Sequence, residues 1–155
     1  MCTRCDGYGF DDHKQKIDLT VRVHGFAIQQ VAAEGRRPSW AYSVGLGESF
    51  DLPDLLCVDI EDETQASLIS DIGSRVRSLG SYDESYLDHR DVELIPVHPS
   101  HLRGGLVAVW SDRYDRLPRA GEFLQVVPGP SWFCDCHAHS MRRLDSPKRR
   151  RRRAA

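Results

Sequence analysis

Residues 38–60 read PSWAYSVGLGESFDLPDLLCVDI, and the rest of the predicted fold is arranged around them. In its first part bulky residues alternate with small ones, which is the two-residue period of a β-strand. The bulky positions are Trp40, Tyr42, Val44 and Leu46, and the small positions are Ala41, Ser43, Gly45 and Gly47. A strand with one face of small side chains lets another backbone, a helix or a flat ligand approach closely.

A second strand follows in the same stretch, after a turn at residues 47–49. Pro53 precedes the run Leu55 to Val58, which is apolar at every position and therefore predicts a central strand covered on both faces. Cys57, within this run, is expected to be a core residue. The two strands should form the middle of a sheet.

Further strands are predicted on both sides of this pair, over residues 24–31, 92–97 and 123–127. Pro96 cannot donate a hydrogen bond to a neighbouring strand, so the strand that contains it should lie at an edge or a bulge.

Residues 11–23 have a pattern that fits either a strand or a helix. Apolar residues alternate there as in a strand, whereas Asp11, Asp12 and Gly25 are typical of helix ends; the alternation favours a strand.

One long helix is predicted over residues 63–79 because apolar residues recur there at three- and four-residue steps. This stripe consists of Leu68, Ile69, Ile72, Val76 and Leu79. Gly80 is suited to the left-handed conformation that ends many helices. Residues 81–91 are expected to form a polar loop, and residues 102–110 a short helix despite two glycines.

Composition is that of a globular protein, but charge is distributed unevenly along the chain. Of the 155 residues, 40% are hydrophobic and 28% are charged. Residues 1–141 contain 13 basic and 22 acidic side chains, whereas residues 142–153 contain eight basic side chains and one acid. We therefore expect one α+β domain over residues 1–140 and a basic, disordered tail over residues 141–155.

The chain contains no apolar run of the roughly 20 residues needed to span a membrane, and its first residues lack the apolar segment of a signal peptide. We expect a cytoplasmic protein without membrane contact. In that compartment thiols stay reduced, so cysteines are interpreted first as metal ligands, redox groups or core residues.

Four of the five cysteines form two clusters near the ends of the chain, and these suggest a zinc site. The candidate ligands are Cys2, Cys5, Cys134 and Cys136, with His137 as a substitute. Thiolates two or three residues apart can present two sulfurs to one tetrahedral ion. The alternatives are redox or disulfide chemistry, and two cysteine pairs without a shared role.

Two weaker sites are also candidates. His24 could act as a base or ligand contact beside Tyr42 and Ser43, although Ser43 lacks the glycine pattern of a hydrolase nucleophile. In the tail, six consecutive cations could bind nucleic acid without sequence preference, or could form a solvated segment folded back on the acidic body. They are Lys148, Arg149, Arg150, Arg151, Arg152 and Arg153.

Several short motifs resemble those of the bacterial "domain of unknown function 4262" family. The matching segments are residues 24–29, residues 40–46, Phe50, residues 53–55 and residues 123–128. Ser43 stands where threonine is usual in that family, and Asp54 where glutamate is usual. The resemblance implies an α+β domain, favours a helix over residues 12–23, and assigns no catalytic residues.

These observations predict a mostly antiparallel sheet with one long helix and one or two shorter helices packed on it. The preferred function is a non-enzymatic binding or accessory module with a structural zinc ion between its ends. One alternative is an enzyme or small-ligand-binding protein that uses the small-residue face around Tyr42–Gly47. Another is nonspecific nucleic-acid binding through the tail. Whether the protein is an enzyme stays open.

Overall fold

The computed structural model describes residues 10–133 and 142–148. The strands there are β1 (Ala27–Val31), β2 (Trp40–Val44), β3 (Asp54–Val58), β4 (Val92–Pro96) and β5 (Phe123–Pro128). The helices are α1 (Phe10–His24), α2 (Leu46–Phe50), α3 (Asp62–Leu79), α4 (Glu84–His89), α5 (Pro99–Leu102) and α6 (Ala108–Tyr114). A 3₁₀ turn over Pro130–Trp132 follows β5.

The strands form a single sheet in the order β1-β2-β3-β5-β4. Three neighbouring pairs are antiparallel, and β3 and β5 are parallel. The predicted α+β class with a mostly antiparallel sheet is confirmed. Every residue of β3 is buried, as expected for a central strand, and β4 with Pro96 lies at one edge.

Helices cover both faces of the sheet, so the core has two halves. On one face α1, α5 and α6 pack against Trp40, Tyr42 and Leu56. On the other face α3 and α4 pack against Ala41, Leu55 and Cys57. Burial raises the pKa of the Cys57 thiol to about 12, in accord with a core cysteine.

Helix α3 occupies the small-residue face of β2. Ala41 is fully buried in one cluster with Ile69 and Ile72 of this helix. A ligand on that face requires open space, and the helix fills it. The helix ends as predicted, because Gly80 has a φ of 73° and donates to the Val76 carbonyl. Leu79 does not belong to the buried stripe, since 59% of its surface is exposed.

Residues 10–24 form a helix, so the strand indicated by alternation is wrong and the helix implied by the family resemblance is correct. Ile17 and Val21, four residues apart, are buried on one helix face. Leu19 and Val23 lie on the solvent side, with 60% and 54% of their surfaces exposed. Two exposed apolar residues therefore produced the apparent alternation.

Three connecting segments also differ from expectation. Residues 47–49, where a turn was expected, lie within α2 (Leu46–Phe50), whose first residue, Leu46, is buried in the core. Residues 84–89, expected to be loop, form α4, whose first turn is capped by the Asp83 carboxylate accepting from Tyr86 N. The short helix expected over residues 102–110 is two helices, α5 and α6, with Gly104 and Gly105 between them.

Part of the predicted tail packs against the sheet. Leu144 is 1% exposed and lies in the same core half as Trp110. The buried Gln125 amide accepts from Leu144 N at 2.8 Å and donates to the Arg142 carbonyl at 2.8 Å. His98 N donates to the Leu144 carbonyl at 2.7 Å. Residues 142–144 are thus held against the sheet by the Gln125 side chain and by the backbone of His98.

Candidate functional site

Parts of three segments that carry the family resemblance meet at one end of the sheet, where β1 begins, β2 ends and β3 begins. Ser43 is the last residue but one of β2, Asp54 is the first residue of β3, and α2 connects the two strands. Gly25 lies between α1 and β1 beside the same helix. We call this region, made of Gly25, Ser43, Gly45, Asp54 and helix α2, the corner.

Asp54 is the hydrogen-bonding centre of the corner. Its carboxylate is 2% exposed and accepts from Ser43 Oγ at 2.6 Å and from Leu46 N at 3.1 Å through Oδ1. Its second oxygen, Oδ2, accepts from Trp110 Nε1 at 2.9 Å. The Ser43 hydroxyl in turn accepts from Leu55 N at 2.8 Å. One carboxylate therefore links β2, α2, β3 and α6.

Burial dominates the electrostatics of Asp54 and raises its pKa to about 6. Hydrogen bonds oppose this shift, in decreasing order, from Ser43, Trp110, Leu46 and Gly45. All these groups donate, so they favour the ionised form that burial penalises. At neutral pH the carboxylate is mostly ionised, and its charge is balanced by dipoles rather than by an ion pair with any described residue.

Glycine is required at two corner positions by close packing. Gly45 has a φ of 111°, and a Cβ there would lie 2.8 Å from a methyl group of Val21. Gly25 has a φ of 86°, and a Cβ there would lie 2.6 Å from the Phe50 ring. Gly25 and Gly45 therefore allow α1 to pack closely against the connection between β2 and α2.

Two clefts open at the corner. The larger, about 730 Å³, lies between the last turns of α1 and α3 and helix α2. We call it the corner cleft and define it by Arg22, His24, Gly25, Ser49, Phe50 and Arg77. The second cleft, about 520 Å³, is lined by Asp54, Trp110, Tyr114 and Arg116 among others. Glu48 borders both clefts.

The structure does not bring together the three predicted ligand-binding residues. Tyr42 is 1% exposed, and its hydroxyl accepts from Val109 N at 3.1 Å. Ser43 is fully buried in the Asp54 network. His24 is exposed and borders the corner cleft, so it alone of the three lies beside open space there.

The predicted zinc ligands Cys2, Cys5, Cys134, Cys136 and His137 all lie outside the described residues. Within residues 10–133 and 142–148, no cluster of three or more histidine, cysteine or acidic side chains is placed to hold a metal ion. The zinc site therefore stays a prediction.

The predicted nucleic-acid contacts Arg149 to Arg153 likewise lie outside the described residues. Lys148, the remaining member of that set, donates its backbone N–H to Ser100 Oγ at 2.8 Å.

Among the helices of the described segments, none combines the length and apolarity needed to cross a bilayer.

Sequence reasoning missed Asp54, Trp110 and the arginines of the corner cleft. The available signal for Asp54 was an acidic residue at the start of an otherwise apolar strand. A buried acid in that position must find hydrogen-bond donors. Nothing local in the sequence indicated that Trp110, 56 residues further on, supplies one of them.

Comparison with known proteins gives a family match. The family model described as "Domain of unknown function (DUF4262)" matches residues 20–127, which contain the whole corner. Searches of the curated proteins and of the solved structures find no match. Since the family model covers more than half of the sequence, the chain belongs to the family named domain of unknown function 4262.

Proposed function

We propose that the protein is a non-enzymatic binding module and that its ligand occupies the corner cleft. The observation that carries the proposal is the position of this cleft beside the Asp54 network. Its floor, at Gly25 and Phe50, is held by glycine packing, and its α2 wall is tied to Asp54 through Leu46 N. A site with a fixed floor needs little ordering when a ligand binds, which favours affinity.

Binding accounts for the corner better than catalysis does. The hydroxyl groups of Tyr42 and Ser43 are both engaged in buried hydrogen bonds, so neither is available as a nucleophile. Asp54, with its raised pKa, borders the second cleft and is the candidate for an acid or base in the enzyme alternative. Both of its oxygens already hold fixed donors, which is the pattern of a structural carboxylate.

The proposal is tested by mapping small fragments onto the backbone amide spectrum. Fragments should shift the amide signals of Gly25, Ser49 and Phe50. Ser49 is exposed and lines the cleft, so the Ser49→Trp variant fills the cleft with an indole ring and leaves the core unchanged. This variant should no longer show the shifts. Fragments that shift only amides outside the corner, or that bind the Ser49→Trp variant as well as the wild type, would contradict the proposal.

We further propose that a structural zinc ion joins the two ends of the domain through Cys2, Cys5, Cys134 and Cys136, with His137 as the substitute ligand. The spacing of the cysteines supports this proposal. The orientations of α1 and β5 in the fold also support it. Val21 contacts the end of β2 at Gly45, whereas His13, nearer the start of α1, bonds Gln29 within β1.

Helix α1 therefore begins toward the opposite end of the sheet from the corner. Strand β5 runs parallel to β3 and also ends there. Both cysteine clusters are consequently joined to elements that point to one end of the sheet. A four-cysteine site has no open coordination position, which suits a structural role.

Metal analysis of protein purified under reducing conditions without chelator tests the zinc proposal. We expect one zinc ion per chain. Cys136→Ser should reduce the zinc content sharply, while Cys57→Ser is the matched control in the sheet and should leave it unchanged. A chelator should lower the thermal stability of the wild-type protein. Protein without stoichiometric metal would exclude the site.

A further inference from the structure

Cations without acidic partners surround the corner cleft. Within the described part of the chain, Arg22 and Arg77 form no ion pair. They lie on the last turns of α1 and α3. The cleft also contains Arg113, but its guanidinium is bound by the carboxylates of Asp18 and Glu48. Arg113 offsets one of these two carboxylate charges, and with Arg22 and Arg77 the formal charge of the cleft, three arginines against two acids, is +1.

The hydrogen bonds of Arg77 are weak. Arg77 Nη1 lies 3.4 Å from His24 Nδ1, and Nη2 lies 3.5 Å from the Val23 carbonyl. Both distances are at the outer limit for hydrogen bonds, so the guanidinium is oriented toward the end of α1 with much of its bonding capacity unused. An oxyanion between Arg22, His24 and Arg77 would supply the missing acceptor.

This positive surface contrasts with the rest of the body. Residues 1–141 contain nine more acidic than basic side chains, so the field around most of this segment repels anions. A local group of cations on such a body attracts an anion to one place, which gives selectivity for position as well as for charge.

The Phe50 ring gives the cleft an apolar patch. Gly25 exposes backbone beside the half-buried Phe50 ring, and Val21 lies next to it. A ligand that fits both features has an anionic group for the arginines and an apolar group for Phe50. Two guanidinium groups match the two charges of a phosphate monoester better than the single charge of a carboxylate.

We propose that the corner cleft binds a phosphate monoester that has an apolar or aromatic substituent. The phosphate lies between Arg22 and Arg77 with His24 as a further contact, and the substituent covers Phe50. This inference rests on the proposed binding function and adds the chemical class of the ligand.

Phenyl phosphate is the probe, with benzoate and phenol as comparison compounds. At pH 7.5 and low salt, amide shifts of Gly25, Ser49 and Phe50 should report binding in the order phenyl phosphate, benzoate, phenol. Arg77→Gln and Arg22→Gln should each weaken phenyl phosphate binding by about tenfold, since each removes a charge-assisted contact. Added salt should weaken it as well.

Arg36→Gln is the matched control. It removes the same charge from an exposed arginine in the turn between β1 and β2, at the opposite end of the sheet, and should leave binding unchanged. The Arg22 side chain forms no ion pair with a described residue, so its variant tests the inference even if the loss of Arg77 loosens the end of α1.

The outcomes separate this inference from the proposed function. Equal affinity for phenol and phenyl phosphate, or equal effects of the Arg36→Gln and Arg22→Gln variants, would overturn the assignment of an anion. If only neutral fragments shift the corner amides, the ligand class is wrong and the binding function stands. If no compound shifts those amides, both are wrong.

Discussion

Ser43 Oγ donates a 2.6 Å hydrogen bond to Asp54 Oδ1 and at the same time accepts from Leu55 N at 2.8 Å. The hydroxyl thus closes the connection between the end of β2 and the start of β3, with helix α2 held between them by Leu46 N. The segments 40–46 and 53–55, which are separate in the sequence, form one structural unit through these bonds. Their residue types follow from the need to satisfy a buried carboxylate.

Gly45→Ala should destabilise the fold by about 1–3 kcal/mol more than Gly121→Ala. Both glycines have positive φ values, 111° and 85°, so backbone strain affects both variants. Only at Gly45 would the new methyl group meet neighbours, Val21 at 2.8 Å and the Gly25 carbonyl at 3.1 Å. Urea denaturation measures the difference. Equal losses would show that the close approach of α1 is not a constraint.

Ile72→Ala should reduce the free energy of unfolding by about 2–5 kcal/mol, because it opens a cavity between α3 and the sheet. Ile72 is 2% exposed. Leu79→Ala on the same helix is the control and should cost less than about 1 kcal/mol, since that side chain is largely exposed. If the two losses are similar, the face of α3 that contacts the sheet has been assigned incorrectly.

The strands and α3 could be predicted because their apolar patterns are dictated by burial. A run such as Leu55 to Val58, which is apolar at every position, is typical of a strand buried on both faces. The alternation of apolar residues did not predict helix α1, because Leu19 and Val23 are apolar yet exposed. A pattern method treats every apolar residue as buried, and two exceptions in one helix change the apparent period.

The candidate site was harder to predict than the fold because its contacts join distant parts of the chain. Asp54 meets Trp110 across 56 residues, and Arg77 meets His24 across 53. No local pattern encodes such pairs. His24, Tyr42 and Ser43 were reasonable candidates by residue type, but the alternation of β2 places Tyr42 in the core and the acid beside Ser43 determines that side chain's role.

The ionisation of Asp54 should make stability depend on pH in a defined direction. Its pKa of about 6 in the folded protein exceeds the ordinary value of 3.8, so the folded state holds the proton more tightly. The stability contributed by this proton is complete below about pH 4 and is lost as the pH rises through about 6.

The unfolding free energy of the wild type, relative to that of Asp54→Asn, should therefore fall between about pH 4 and 6. The variant removes the titrating group and serves as the control for all other carboxylates, including Glu122, whose pKa is lowered by Arg116. The Asp54 Cγ chemical shift should titrate with a midpoint of about 6. A midpoint below about 4 would show that the hydrogen bonds outweigh burial.

If the tail binds nucleic acid, deleting residues 149–155 should abolish retention of the protein on DNA at low salt, because the deletion removes five consecutive arginines. The free energy of unfolding should change by less than about 0.5 kcal/mol, since Leu144 and its hydrogen bonds to Gln125 and His98 remain. Gel retardation and denaturation are measured on the same preparations. Undiminished retention by the truncated chain would exclude the tail as a nucleic-acid contact.

The Ser43–Asp54 hydrogen bond organises the corner as a structural unit. A double-mutant cycle of Ser43→Ala and Asp54→Ala, each of which removes one partner of the bond, followed by urea denaturation at pH 7.5, measures this coupling. We predict a coupling energy of about 1 kcal/mol or more, because each group is buried and depends on the other as its partner. Effects that add to within about 0.3 kcal/mol would contradict the account.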